Sequence, residues 1–348
     1  MPNQSWQLKF ASCDAYQHPI AAVATIVKPT AAMPGTEPML VEAFAEDALA
    51  ARCAPSHALT GDTEDSNEDL ESAIPTEFLA VGWTVLFPDY EGPQSEFSVG
   101  RLEGQTTLDS IRAAEQFAPA GLDSKTPVGL NGYSGGAIAM GWTASLQKTY
   151  APELNLVGFT LGGTPADLIG IMKNIDATSS TAAIDFFNVV FMLTVGANRA
   201  NPTFLTPIFN ATGVGTATSI ENGCVGKTSD GGSGPTGPFS QYLTTNDYAS
   251  SPGVVAEANV FDLAQPGLSP IAEMFVYQSQ MDEVIPIAGV DKMVSQWCSS
   301  GSEVSYDRIP AGDHIATEVD TEPVVFAYLT ARYQGVTPTL PAVTTTCN

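Results

Sequence analysis

The stretch VGLNGYSGGAIAMGW, residues 128–142, decides the fold prediction. An apolar run meets a glycine-rich turn here, and small and apolar residues follow the turn. The turn consists of Gly132, Tyr133, Ser134, Gly135 and Gly136. It matches G-x-S-x-G, the sharp strand-to-helix elbow in which small neighbours leave a serine hydroxyl projecting. The alternative is an ordinary glycine-rich turn with a bystander serine, but the flanking strand and helix patterns favour a nucleophilic Ser134.

Strand and helix patterns alternate on both sides of this elbow. Predicted strands cover residues 20–29, 39–45, 83–90, 126–133, 155–163, 272–280 and 303–310. Predicted helices cover residues 73–82, 104–118, 135–150, 288–300 and 322–335. Regular alternation of this kind indicates an α/β fold with a mostly parallel sheet built from right-handed crossovers and flanked by helices.

Residues 164–260 interrupt the alternation. Apolar helical pieces alternate there with Gly/Ser/Thr-rich stretches at 211–224 and 229–240, which we interpret as loops. We therefore expect a core formed by residues 1–163 and 261–348, with 164–260 as an inserted, mainly helical cap or lid. A second polar stretch, the acidic segment 60–72, is predicted to be a solvated loop.

The composition excludes several classes of function. The net charge is −25, with 38 acidic and 13 basic residues, so a nucleic-acid partner is not expected. No apolar run reaches the roughly 18–20 residues that span a bilayer. The longest candidate, 182–197, contains Asp185 and Asn188 and is interpreted as a buried or interface-seeking helix.

A serine needs a base to become a good nucleophile, and the chain has only three histidines. In doubly wound hydrolases the order along the chain is serine, then acid, then histidine, and the histidine follows the last strand. His18 and His57 precede Ser134 and do not fit this order. His314 lies between the predicted strand 303–310 and the final helix, which makes it the candidate base.

Three carboxylates compete for the role of the acid. Asp282 directly follows the predicted strand 272–280, which is the position the chain order requires. Glu283 is its neighbour, and we expect its side chain to point to solvent. Asp313 adjoins His314, but a neighbouring side chain usually cannot turn back to the same ring. We therefore assign Asp282 to fix the imidazole tautomer and stabilise the imidazolium.

Several segments together resemble the secretory lipase family. They are AEDALAARCAPSHAL at 45–59, PDYEGPQSEFSVGRLEGQTTLDSIRAAE at 88–115, NGYSGGAIAMGW at 131–142, QMDEVIPI at 280–287 and AGDHIATE at 311–318. The resemblance extends from about residue 6 over nearly the whole chain. It implies an α/β-hydrolase fold, with a helical cap between the nucleophile half and the acid and histidine half.

The resemblance also implies roles for individual residues. Ser134, Asp282 and His314 would be the nucleophile, acid and base of a triacylglycerol lipase or carboxylesterase. The backbone N–H groups of Asp47 and Gly135 would form the oxyanion hole. Asp47 otherwise fits a helix N-cap.

Five widely spaced cysteines contain no CxxC pattern, so a zinc or redox site is not indicated. They could be buried thiols or, in a secreted protein, two disulfides and one remaining thiol. The resemblance implies a disulfide between Cys53 and Cys224 that ties the core to the cap. Cys298 and Cys347 are then the natural second pair, which leaves Cys13 free.

The expected location is extracellular, although residues 1–20 contain no basic and apolar signal-peptide pattern. The Thr/Pro-rich segment 336–348 is typical of secreted proteins. Family members usually carry a further N-terminal segment and a signal peptide, so the chain is either truncated or lacks that segment.

The expected substrate is a lipid or another ester, and no metal or organic cofactor is needed. Apolar side chains in 164–260 would form an ordinary cap core, an acyl tunnel, or both. We expect hydrolysis of medium to long acyl esters, transient contact of the cap with lipid, and a monomer. The alternatives are an acyltransferase, a short-chain esterase or a peptidase of the same fold.

Overall fold

A computed structural model describes residues 3–30, 37–61, 71–177, 181–225, 234–341 and 345–347. Within these ranges, nine strands form one sheet. The strands are β1 (Gln4–Cys13), β2 (Pro19–Lys28), β3 (Met39–Ala43), β4 (Thr84–Pro88), β5 (Val128–Tyr133), β6 (Leu156–Gly162), β7 (Met274–Ser279), β8 (Val304–Ile309) and β9 (Thr345–Cys347).

The order across the sheet is β1-β2-β4-β3-β5-β6-β7-β8-β9. Every neighbouring pair from β4 to β8 is parallel, whereas β1, β2 and β9 join the edges in antiparallel pairs. Every residue of β3, β4, β5 and β7 is buried, as expected for strands covered on both faces. The mostly parallel sheet of the predicted α/β fold is confirmed.

Helices connect the parallel strands and cover both faces of the sheet. They are α1 (Pro55–Ala58), α2 (Ala73–Ala80), α3 (Gly100–Gln116), α4 (Gly135–Tyr150), α5 (Leu168–Ala177), α6 (Thr181–Ala200), α7 (Ala211–Ile220), α8 (Pro252–Phe261), α9 (Ile287–Ser299) and α10 (His314–Gln334). In the described part of the chain, no helix is both long enough and apolar enough to cross a membrane.

Helices α5 to α8 lie between β6 and β7, where the alternation of the sequence breaks down. Aromatic side chains hold this region together, with Phe187 and Phe191 of α6 packed against Phe239 and Tyr242. These residues belong to the same continuous core as the sheet. The division of the chain into a core and a separate cap stays a prediction.

Four elements differ from the sequence-based expectations. The stretch 211–224, interpreted as a loop, begins with α7, because the Asn210 side chain accepts a hydrogen bond from the N–H of Gly213 and caps the helix. Helix α10 begins at His314 rather than at residue 322. Strands β1 and β9 were not predicted. Residues 62–70 of the predicted acidic loop and residues 229–233 of the predicted loop 229–240 lie outside the described residues.

Candidate active site

The candidate nucleophile lies in a sharp turn at the carboxyl end of β5. Ser134 has φ +49° and ψ −120°, a conformation that side-chain-bearing residues rarely adopt, and it is the N-cap residue of α4. The turn is too tight for larger neighbours. A Cβ atom on Gly136 would lie 1.9 Å from the carbonyl oxygen of Ala43, and one on Gly132 would lie 2.5 Å from the carbonyl oxygen of Gly136. The glycines of the motif are therefore required by close backbone packing.

Ser134, His314 and Asp282 form a continuous hydrogen-bond chain. The distance from Ser134 Oγ to His314 Nε2 is 2.9 Å, and the distance from His314 Nδ1 to Asp282 Oδ2 is 2.8 Å. The side chain of His314 is 1% exposed and that of Asp282 is 0% exposed. The structure thus brings these three predicted residues together at the carboxyl edge of the sheet.

The Asp282 carboxylate accepts hydrogen bonds on both oxygens. Oδ1 accepts from the backbone N–H groups of Val284 and Ile285 at 2.9 and 2.8 Å. Oδ2 accepts from Gln278 Nε2 at 2.8 Å in addition to the His314 ring. Four donors around one carboxylate fix its position, so Asp282 is placed to accept a hydrogen bond from Nδ1 of the imidazole.

The backbone of His314 is also held in place. Tyr133, inside the nucleophile turn, donates its hydroxyl to the carbonyl oxygen of His314 at 2.6 Å. Glu283 Oε2 accepts from the N–H of His314 at 3.1 Å, so the expectation that Glu283 points to solvent is wrong. Asp313 instead caps α10, because its side chain accepts from the N–H of Ala316 at 2.7 Å.

Opposing effects act on the pKa of His314, with a net increase. Burial disfavours the charged imidazolium and by itself lowers the pKa. The negative charge and hydrogen bond of Asp282, with smaller contributions from Glu318 and Glu283, raise the pKa above its usual value of 6.5. His314 is therefore a stronger base than an isolated imidazole.

The loop after β3 carries the predicted oxyanion residue. Asp47 has φ +45° and lies before, not at, the cap of the next helical turn, so it is not a helix N-cap. A Cβ atom on Gly135 would lie 1.9 Å from Asp47 Oδ1, which shows how closely the loop approaches the residue after Ser134. The two predicted oxyanion residues are thus brought together.

Side chains from other segments fix this loop on both sides. Glu71 accepts from the N–H of Ala45, at 2.8 Å through Oε2 and 3.1 Å through Oε1. The hydroxyl of Tyr90 accepts from the N–H of Glu46 at 3.2 Å, and Glu91 Oε1 accepts from the N–H of Ala48 at 3.3 Å. The position of the loop therefore depends on buried side chains before α2 and after β4.

Glu71 was missed because it belongs to the acidic stretch 60–72, which we expected to be solvated. Its side chain is 6% exposed and lines the cavity that contains Ser134 and His314. Burial is the main reason that the pKa of Glu71 lies well above the usual glutamate value. Nothing in the local composition distinguishes this glutamate from the other acidic residues of the stretch.

Comparison with known proteins places this site in a family. The sequence profile of the family described as "Secretory lipase" matches residues 61–340. The chain belongs to the secretory lipase family. A secreted triacylglycerol lipase of Malassezia furfur is 30% identical over 91% of this chain and 84% of its own length. A lipase of Candida albicans is 32% identical over 95% of this chain and 72% of its own.

Solved structures agree with this assignment. Candida antarctica lipase A in its closed state superposes with a TM-score of 0.86 at 25% identity, over 97% of this chain and 79% of that chain. A hydrolase of Legionella pneumophila, at TM-score 0.76 and 12% identity, shares the fold. This secretory lipase therefore has the α/β-hydrolase fold and is a carboxylic ester hydrolase.

The secretory lipase contains two disulfides. Cys53 is bonded to Cys224, and this disulfide joins the segment after the loop that carries Asp47 to the segment after α7. Cys298 is bonded to Cys347. Cys13 is a free thiol, half-buried, with Sγ 3.3 Å from the hydroxyl oxygen of Tyr150.

The cavity at Ser134 is small, with a volume of about 80 Å³. It is lined by Ala45, Asp47, Glu71, Tyr133, Ser134, Phe186, Val189, Val225, His314, Ile315 and Glu318. Helix α6 covers it, and the Phe186 ring meets the His314 ring edge to face at 5.6 Å. In the described part of the chain, no group of three or more His, Cys, Asp or Glu residues is arranged to hold a metal ion.

Proposed function

We propose that this secretory lipase hydrolyses carboxylic esters through Ser134, His314 and Asp282, by way of an acyl-enzyme. The observation that carries the proposal is the hydrogen-bond chain from Ser134 Oγ through both ring nitrogens of His314 to Asp282 Oδ2. A half-buried serine followed by a buried base and a buried acid forms the arrangement that transfers acyl groups in unrelated folds.

In the first half of the reaction, His314 Nε2 accepts the proton of Ser134 while Oγ attacks the ester carbonyl carbon. The imidazolium that forms is stabilised by the charge of Asp282, and it then gives its proton to the departing alcohol. The product of this half is an ester between the acyl group and Ser134. In the second half a water molecule loses its proton to Nε2 and releases the carboxylic acid.

The oxyanion of each tetrahedral intermediate is assigned to the backbone N–H groups of Asp47 and Gly135. The closeness of the Asp47 loop to Gly135 and the start of α4 beside Ser134 support this assignment. Each such donor typically contributes about 10²–10³-fold to the rate. Fixing the loop through Glu71, Tyr90 and Glu91 keeps the donor in place before substrate arrives.

We propose that the substrates are neutral acylglycerols with medium to long chains, and that the enzyme acts after export. The names of its relatives as secreted triacylglycerol lipases and the apolar side chains of Phe186, Val189 and Val225 over the nucleophile support this proposal. A cavity of about 80 Å³ has room for only about three water molecules. A long acyl chain therefore requires α6 to move away from His314.

Labelling with a fluorophosphonate probe tests the mechanism. The wild-type enzyme should be labelled at Ser134 and lose activity, and Ser134→Ala should be neither labelled nor active. Ser299→Ala, an exposed serine on α9, serves as the matched control and should behave as wild type. Labelling at another residue, or full activity of Ser134→Ala, would contradict the mechanism.

The small cavity also favours a second candidate, a short-chain esterase that works with α6 in its present position. A series of p-nitrophenyl esters from acetate to palmitate separates the two. The proposal predicts a rate maximum at acyl chains of eight carbons or more, and such a maximum would indicate that α6 moves. A preference confined to acetate would support the short-chain esterase.

A further inference from the structure

Part of the wall of the catalytic cavity is acidic. Glu318 lies one turn after His314 on α10, is 8% exposed, and lines the cavity together with Asp47 and Glu71. None of the described residues that line the cavity is Lys or Arg. A substrate bound at Ser134 thus meets carboxyl groups, and His314 is the one basic side chain in the described lining.

We propose that Glu318 makes this enzyme select neutral acylglycerols over acylglycerols that carry an anionic phosphate near the ester. The proposal rests on the proposed function, because it concerns the substrates of the same site. It assigns to the cavity wall a role in specificity that is separate from the chemistry at Ser134.

The physical basis is repulsion between like charges in a partly desolvated cavity. The phosphate of a phosphoglyceride is a few bonds from the acyl ester, so it stays close to the cavity when the ester lies at Ser134. Two like charges about 8 Å apart, at the effective dielectric constant of about 20 near a protein surface, disfavour binding roughly tenfold or more. A neutral glycerol carries no such cost.

The charge on Glu318 depends on pH. Burial is the main cause that raises the pKa of Glu318 to about 7; His314 lowers it, and Glu322 and Asp47 raise it. The titratable groups that face Glu318 are His314 and Glu322 on α10, Asp47 and Glu42 of the β3 segment, Glu71 before α2, Tyr133 of β5 and Tyr277 of β7. Glu318 therefore gains its negative charge as the pH rises through about 7, and discrimination should grow in that range.

The test compares 1,2-dihexanoylglycerol with its methyl phosphodiester, which has the same acyl chains and one fixed negative charge. Both are used as monomers, below the concentration at which they aggregate, so that no lipid surface contributes. The measured quantity is the ratio of kcat/KM for the neutral ester to kcat/KM for the anionic ester, from about pH 5.5 to 8.5. Titration of His314 affects both substrates alike and cancels in this ratio.

For the wild-type enzyme the ratio should rise roughly tenfold as the pH increases through the titration of Glu318. Glu318→Gln keeps the shape of the side chain without its charge, and its ratio should be lower and independent of pH in this range. Asp320→Asn is the matched control, because Asp320 is an exposed carboxylate on the same helix. Its ratio should follow that of the wild type.

Two outcomes would overturn the inference. One is a wild-type ratio that does not change with pH, which is decisive even if Glu318→Gln fails to fold. The other is equal ratios for Glu318→Gln and the wild type. Failure of the proposed function looks different: the wild type would not hydrolyse the neutral ester, or Ser134→Ala would still do so.

Discussion

Replacing Asp282 by Asn should abolish most activity without unfolding the enzyme. An asparagine has one acceptor oxygen and one NH₂ donor where the carboxylate has two acceptors. If the NH₂ group faces the N–H groups of Val284 and Ile285, donors meet donors, and the backbone cannot adjust. If it faces His314 and Gln278, both side chains can present an acceptor: His314 by a change of tautomer and Gln278 by turning its amide. The second arrangement is therefore favoured.

That arrangement places the imidazole in the wrong tautomer. His314 Nδ1 must become the acceptor, so its proton moves to Nε2, and Nε2 can no longer take the proton of Ser134. The expected loss in kcat is about 10⁴-fold, as for the corresponding substitution in serine proteases. Loss of optimal hydrogen bonding around a buried group should cost about 1–3 kcal/mol of stability, which leaves the protein folded.

The assay is hydrolysis of p-nitrophenyl octanoate, with unfolding by urea measured in parallel. Asp313→Asn is the matched control: it changes the other carboxylate beside His314, and Asn caps a helix as well as Asp does. It should retain wild-type activity. A folded Asp282→Asn enzyme with kcat within tenfold of wild type would refute the reasoning, as would an inactive Asp313→Asn.

Three further predictions follow from the same structure. Replacing Cys53 and Cys224 by Ser should lower the free energy of unfolding by about 2–5 kcal/mol, near the upper end because 171 positions separate them, and an unchanged urea midpoint would contradict this. Because the pKa of His314 is raised, kcat/KM should fall as the pH decreases through a value above 6.5. If kcat/KM fell only below pH 6, the result would be inconsistent with His314 as the base. Burial raises the pKa of Glu318 and of Asp262 to about 7. In the folded state these two carboxyl groups therefore stay protonated at pH values at which they have already lost their protons in the unfolded chain. The free energy of unfolding measured with urea should therefore be highest in acid and should decrease as the pH rises to about 7, with about 3 kcal/mol of the decrease due to Glu318. A free energy of unfolding that increases over this range would contradict the prediction.

The sequence was sufficient to identify the candidate nucleophile because its signal is local. Gly132 and Gly136 are needed because backbone atoms approach too closely there for a Cβ atom, and both glycines are positions of the G-x-S-x-G motif. His314 and Asp282 followed from the order of strands along the chain. These predictions depended only on the alternation of elements and on the elbow.

Other features depended on contacts between distant segments. Glu71 looked like its acidic neighbours until the fold placed it against the N–H of Ala45. The start of α10 was predicted eight residues too late, because Pro323 is typical of a first helical turn but here lies inside the helix. Glu283 was assigned to solvent because no local pattern reveals that the N–H of His314 faces it.

The distance along the chain between the two halves of the site has a consequence for biosynthesis. Ser134 and His314 are 180 positions apart, and α10, which carries the histidine, packs on β5 and β6. In the proposed mechanism, a nascent chain that still lacks α10 has a hydroxyl but no base. The capacity to hydrolyse esters is thus acquired only after residue 314 has been synthesised and α10 has packed on the sheet.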